Sequence, residues 1–216
     1  MTIESINSEM ISEFDGNFSL VDRIFDKENF KSFIVNPKEG TSITIENCSF
    51  VGCKVIDGDF SIMKGTVLKN VTFIDFNCGN AMHISAEAVL DNVKIAGSSM
   101  PKMIWIRPQD GIPSIRNKQN NFLDISEYDG EVSITGFPVD RVKINRNHQV
   151  VVKANLLETV DWKGLGLSTL SYWKMMAKKA SIESREAGIF SMPPKSGRNY
   201  ERSMKELNIL RNNGYI

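Results

Sequence analysis

Three segments superpose without gaps: Ile45-Glu-Asn-Cys-Ser-Phe50, Leu68-Lys-Asn-Val-Thr-Phe73 and Leu90-Asp-Asn-Val-Lys-Ile95. Each reads apolar, charged, Asn, small apolar, polar, large apolar, and successive copies start 23 and 22 residues apart. A second column, Ile62, Ile84 and Ile106, repeats at 22 and 22. Two separate columns at one period mark a solenoid, in which each repeat buries its apolar face against the next. Period-2 alternation places Ile43, Ile45, Cys48 and Phe50 inside and Thr44, Glu46 and Ser49 outside. The alternation breaks at Asn47, so the strand turns a corner there. Asn tolerates the left-handed backbone that such a corner needs.

Stacked at one corner, Asn47, Asn70 and Asn92 are placed to pass side-chain hydrogen bonds from coil to coil. This asparagine ladder, with two strands meeting at a one-residue corner, resembles the right-handed parallel β-helices of the pectin-lyase-like superfamily. The resemblance covers about half the chain, implies architecture, and carries no catalytic motif. A competing alignment is also present. Ile45, Phe50, Val55 and Phe60 recur every five residues, with Cys48 and Cys53 two positions ahead of a large residue. That beat is similar to the pentapeptide-repeat family, and either alignment implies a right-handed solenoid.

Further along the period shortens. Asn117, Gly136 and Asn155 lie 19 and 19 apart, as do Ile125 and Ile144, and Val150-Val-Val152 ends the series. The bridge Pro108–Pro113 reads as an enlarged loop. The expected fold is therefore mainly β, a right-handed parallel β-helix of about five coils.

A solenoid must close its ends. Residues 1–34 are expected to form an N-terminal cap. There Ser19-Leu-Val-Asp22 resembles a helix-starting box, and Val21, Ile24, Phe25 and Phe30 form a helical stripe. Residues 35–162 form the β-helix, and residues 163–216 an α-helical C-terminal appendage. The appendage reads as a helix over Ser168–Ala180, a short helix through Arg185–Phe190, and a last helix from about Asn199 to Asn213 stopped by Gly214.

Formal net charge is zero, with 26 Lys and Arg against 26 Asp and Glu, which argues against a general nucleic-acid binder. Residues 161–216 carry ten basic and five acidic residues, leaving sixteen and twenty-one for the rest. A basic tail beside an acidic body suits either a packed cap or a docking element. No run approaches a membrane span, and the acidic N-terminus is unlike a secretory signal. Three cysteines (Cys48, Cys53, Cys78) do not make a disulfide framework, and a cytoplasmic location is the expectation.

Chemistry is sparse. Gly164-Leu-Gly166 is too short for a phosphate loop, and no Gly-x-Ser-x-Gly elbow is present. The two histidines, His83 and His148, lie far apart, and Asp57-Gly-Asp59 reads as an acidic turn. No catalytic residue, metal or cofactor is assigned. If the isoleucine ladder points inward, the outer column is Ser61, His83, Trp105, Asp124 and Lys143, beside Met63, Ser85, Arg107, Ser126 and Asn145. An outward Trp with charged neighbours has the composition of a binding anchor. The candidate binding residues are His83, Trp105, Arg107, Asp124 and Lys143. The leading expectation is a non-enzymatic intracellular protein that binds another protein, as an immunity protein or inhibitor binds a toxin or enzyme. The alternative is a carbohydrate-binding or carbohydrate-cleaving face around Trp105. No nucleic-acid or membrane partner is expected.

Overall fold

The structure, a computed structural model, describes residues 12–14, 17–98, 100–109, 122–184 and 186–216. The chain opens with strands β1 (Ser12–Phe14), β2 (Asn17–Val21), β3 (Ile24–Asp26), β4 (Asn29–Phe30) and β5 (Phe33–Val35). The next coil supplies β6 (Ile43–Glu46), β7 (Ser49–Val51), β8 (Lys54–Val55) and β9 (Phe60–Ile62). Longer strands follow: β10 (Thr66–Ile74), β11 (Met82–Ser85), β12 (Val89–Ala96) and β13 (Met103–Arg107). The last coil holds β14 (Leu123–Ile125) and β15 (Glu131–Ile134), and β16 (Val142–Ile144) and β17 (Gln149–Lys153) come after it. The strands stack in parallel as a β-solenoid of about five turns.

One sheet runs β1-β2-β6-β10-β12-β14-β16, with β3 and β7 extending its first rungs beyond the corner. The second faces it across the core and contains β5, β9, β11, β13 and β15 in order. Registers match the repeat: Leu68 pairs with Ile45 and Leu90, and Ile84 pairs with Ile62 and Ile106.

The corners follow from backbone chemistry. Asp22, Asn47, Asn70 and Asn92 have φ of 56°, 53°, 52° and 55°. Five residues on, Lys27, Gly52, Asp75 and Gly97 form a second column of positive φ. The five-residue beat is thus the width of one face between two corners; it fades because the other faces are longer. The ladder is directional. Asn92 Nδ2 donates to Asn70 Oδ1 (2.9 Å), Asn70 Nδ2 to Asn47 Oδ1 (3.0 Å), and Asn47 Nδ2 to Asp22 Oδ1 (2.9 Å).

Asp22 is the first rung, and here the structure corrects the expected N-terminal helix. Residues 17–35 are a full coil whose inward side chains are Leu20, Phe25, Phe30 and Phe33, while Val21 and Ile24 of the supposed stripe are 41% and 81% exposed. Leu20 pairs with Ile45 and Phe25 with Phe50, so Leu20–Phe25 is a further copy of the motif with Asp in place of Asn. The core behind it is a phenylalanine stack: Phe25, Phe50 and Phe73 lie ring on ring at 4.8 and 5.0 Å, the coil spacing itself. Cys48, Cys53 and Cys78 are free and buried; burial pushes all three thiols up, Cys78 to about 12. They fill core space as small hydrophobes.

The C-terminal end is closed by α1 (Leu156–Thr159), α2 (Tyr172–Glu183), β18 (Ala187–Ser191) and α3 (Tyr200–Asn212). The expected short helix near residue 190 is the strand β18; its Arg185 lies outside the described residues. β18 inserts antiparallel between β15 and β17, and all five of its residues are buried. Ile189 belongs to the solenoid core and Phe190 to a second cluster with Val150, Val152, Trp162, Trp173, Leu207 and Leu210. A strand of opposite direction interrupts the parallel stacking after β15 and leaves β17 as the outermost strand of that sheet. At the other end β1 lies antiparallel to β2.

The shortened period is right for one pair only. Ile125 and Ile144 are direct neighbours in β14 and β16. Gly136 has φ of 68° but follows β15 of the second sheet, whereas Asn155 has φ of −67° at the start of α1. These are different corners, and Asn117 lies outside the described residues. No helix among the described residues is long and apolar enough to cross a membrane.

Candidate binding groove

The outer side of the second sheet carries a shallow open groove of about 270 Å³. Alternation in β9, β11 and β13 turns Ile62, Ile84 and Ile106 inward, so Ser61, His83 and Trp105 face out in register. Met63, Ser85 and Arg107 flank them at the strand ends, and Gln109 closes one side.

Trp105 is the floor. Its ring centroid lies 5.0 Å from that of His83, and the Arg107 guanidinium carbon stands 4.2 Å from the ring centre. Lys179 Nζ, from α2, approaches the same ring to 5.4 Å. Both cations sit within cation–π range. Trp105 is partly buried, and its Nε1 is buried with no hydrogen-bond partner among the described residues. Burial, then the positive charge of Arg107, pushes the His83 pKa below its ordinary value; Asp59 opposes both. His83 is therefore neutral at pH 7.

Two nearby carboxylates, Glu87 and Glu183, are hydrogen-bonded. Glu87 Oε2 accepts from Ser85 Oγ (2.5 Å) and from the Gln109 backbone N–H (3.1 Å). Glu183 accepts from Thr135 Oγ1 at 2.6 Å. Gln109 Oε1 takes the Lys64 backbone N–H at 3.2 Å. Among the described residues His83 makes no hydrogen bond to Ser61, whose hydroxyl meets the Met63 sulfur, or to Ser85, whose hydroxyl donates to Glu87. No group of three or more His, Cys, Asp or Glu among the described residues is arranged to hold a metal ion.

The tail builds part of this site. Lys179 Nζ donates to Ser133 Oγ at 2.9 Å, and Ser184 Oγ accepts the Gly136 backbone N–H at 2.7 Å. These bonds fix α2 against β15 and bring Lys179 against the Trp105 ring.

The structure keeps His83, Trp105 and Arg107 together and separates Asp124 and Lys143 from them. Trp105 pairs with Ser133, 28 residues on, not with Asp124. Asp124 lies in β14 of the first sheet between Lys94 and Lys143. The coil after β13 is lengthened between residues 107 and 123, so a fixed count of 19 from Trp105 lands on a different face. Asp124 and Lys143 make a local ion pair of 2.9 Å. Burial raises the Asp124 pKa, but hydrogen bonds from Ser126 and the Lys143 charge outweigh it and hold the carboxyl below its usual range.

Sequence reasoning missed Ser133, Glu87, Gln109 and Lys179. Ser133 was within reach, because Val132 and Ile134 alternate around it as Ile104 and Ile106 do around Trp105. Lys179 was not, since its contact depends on how a distant helix docks. Comparison with protein-family models, curated proteins and solved structures finds no match to this chain.

Proposed function

We propose that the protein is a non-enzymatic binding protein that docks another protein against the outer face of its second sheet, as an inhibitor or immunity protein docks on an enzyme or toxin. The observation that carries this reading is Trp105: a large aromatic ring in an open groove, held by Arg107, His83 and Lys179 on a hydrogen-bonded scaffold. Rigid aromatic anchors with adjacent Arg are the residues that dominate protein interfaces. The solenoid fixes them before binding, which lowers the ordering cost of association.

The test is capture from an extract of the source cell, with Trp105→Ala and, as a control on the first sheet, Lys143→Glu. Losing one such anchor costs about 2 kcal/mol, so a partner held by the wild type and the control should be depleted more than tenfold by Trp105→Ala. Undiminished capture by a folded Trp105→Ala variant would refute the assignment to this face.

A further inference from the structure

We propose that the protein rests reversibly on an anionic membrane surface through the outward face of α2. Three large apolar side chains stand in solvent along this short segment: Leu170 (72% exposed), Met175 (52%) and Ile182 (61%). The other sides of the helix are occupied. Trp173, Ala177 and Ala180 are buried, while Lys179 and Glu183 bond to Ser133 and Thr135. At 3.6 residues per turn these contacts leave one open sector of roughly 120°. Met175 and Ile182 lie in it two turns apart on one line, with Lys174, Lys178 and Ser181 on the line beside them. Leu170 and Met175 hold the N′ and N4 positions around the cap Ser171, which a helix start brings together, so Leu170 continues the apolar line.

The charge beside that line is of one sign. Among the described residues neither Lys174 nor Lys178 forms an ion pair; Lys174 Nζ lies 5.5 Å from the Trp162 ring centre, and Lys178 is exposed. The one carboxylate of α2, Glu183, is turned to Thr135. The occupant must therefore offer negative charge and apolar depth together. Protein hot spots favour Trp, Tyr and Arg, and lysine is depleted at protein interfaces. Aliphatic tips beside lysines suit a bilayer instead: the tips enter the acyl boundary while lysine stems lie along it with their charges at the headgroups. Residues 161–216 carry ten basic and five acidic residues, against sixteen and twenty-one in the rest. An anionic surface thus attracts the appendage and turns the solenoid away from it. Such a contact needs no spanning segment.

The probes are phosphatidylcholine vesicles, alone or with about 30% phosphatidylserine, and the readout is co-sedimentation of the full-length protein. The anionic vesicles should bind at least tenfold more tightly than the neutral ones, and the preference should shrink as salt rises from about 0.05 to about 0.5 M. Lys178→Gln should weaken binding about fivefold, the worth of one lysine near an anionic leaflet, and Ile182→Ser by about as much through lost insertion. Lys143→Gln, on the first sheet of the solenoid, should leave it unchanged. Melting temperatures of all variants confirm that each is folded. Absence of binding, equal binding to neutral vesicles, or equal loss in Lys143→Gln would overturn the proposal. Loss in Lys178→Gln without loss in Ile182→Ser would also overturn it, because the apolar line would then take no part. If vesicles do not bind and an acidic protein is captured in a way that both Lys178→Gln and Ile182→Ser abolish, the occupant of this face is a protein and the membrane reading is refuted. None of these outcomes involves Trp105, so the docking reading of the groove stands or falls separately.

Discussion

Replacing Asn70 probes the corner ladder at its most connected rung. Its Nδ2 donates to Asn47 and its Oδ1 accepts from Asn92, at 3.0 and 2.9 Å, on a backbone with φ of 52°. Two energies are at stake. A net side-chain hydrogen bond stabilises by about 0.5–1.5 kcal/mol, and at this exposed corner the lower end applies, about 1 kcal/mol for the two. Holding a Cβ-bearing residue in the left-handed region costs a further ~1–2 kcal/mol, a cost Asn tolerates better than Ala. Asn70→Ala should therefore destabilise by about 2–3 kcal/mol. Asn70→Gly removes the hydrogen bonds but not the conformational freedom, and should cost about 1–2 kcal/mol including its looser unfolded chain. Asn70→Asp keeps the acceptor for Asn92 and turns the donor into an oxygen facing Asn47 Oδ1, so it should fall between the wild type and Ala. Asp22 only accepts, and Asp22→Asn should be nearly neutral. Asn213, with φ of −97° and one local bond to the Ile209 carbonyl, is the control, at about 0.5 kcal/mol for Ala. Urea unfolding reads each as a shift of midpoint at constant slope. The reasoning is refuted if Ala, Gly and Asp at position 70 all match the Asn213 control.

Two further outcomes follow, one from β18 and one from Asp124 on the first sheet. Deleting residues 161–216 removes β18, which strips β15 of its antiparallel partner and opens the second apolar cluster, so gel filtration should show edge-paired oligomers; a monomer with an unchanged melting temperature would mean the tail closes nothing. Asp124 has its folded pKa held below its ordinary value, so its stabilising contribution is complete at neutral pH and is lost as pH falls through that lowered value. Asp124→Asn should therefore lower stability at pH 7 and approach the wild type as pH falls below the ordinary carboxylate range, and a pH-independent gap would contradict the assigned cause.

The sequence alone determined the solenoid, its inward columns and its asparagine corner, because each is a local demand. Alternation places every second residue of a strand inside, and a left-handed corner admits few residue types, so Asn47, Asn70 and Asn92 stand out wherever the coil length is steady. The same logic was blind to the first coil, where Asp22 and Lys27 occupy the corners and the exposed Val21 and Ile24 imitate a helical stripe beside the buried Phe25. The remaining features depend on long-range contacts. The lengthened coil after Arg107 set Trp105 against Ser133 and sent Asp124 to the other sheet, a register that counting cannot follow through an insertion. Segment 187–191 is buried from end to end, and whether so short an apolar run is helix or strand depends on the edge it finds; β15 and β17 supply two. Lys179 reaches the Trp105 ring only because α2 is fixed to β15 by hydrogen bonds at Ser133, Thr135 and Gly136, contacts across more than forty residues that no local pattern encodes.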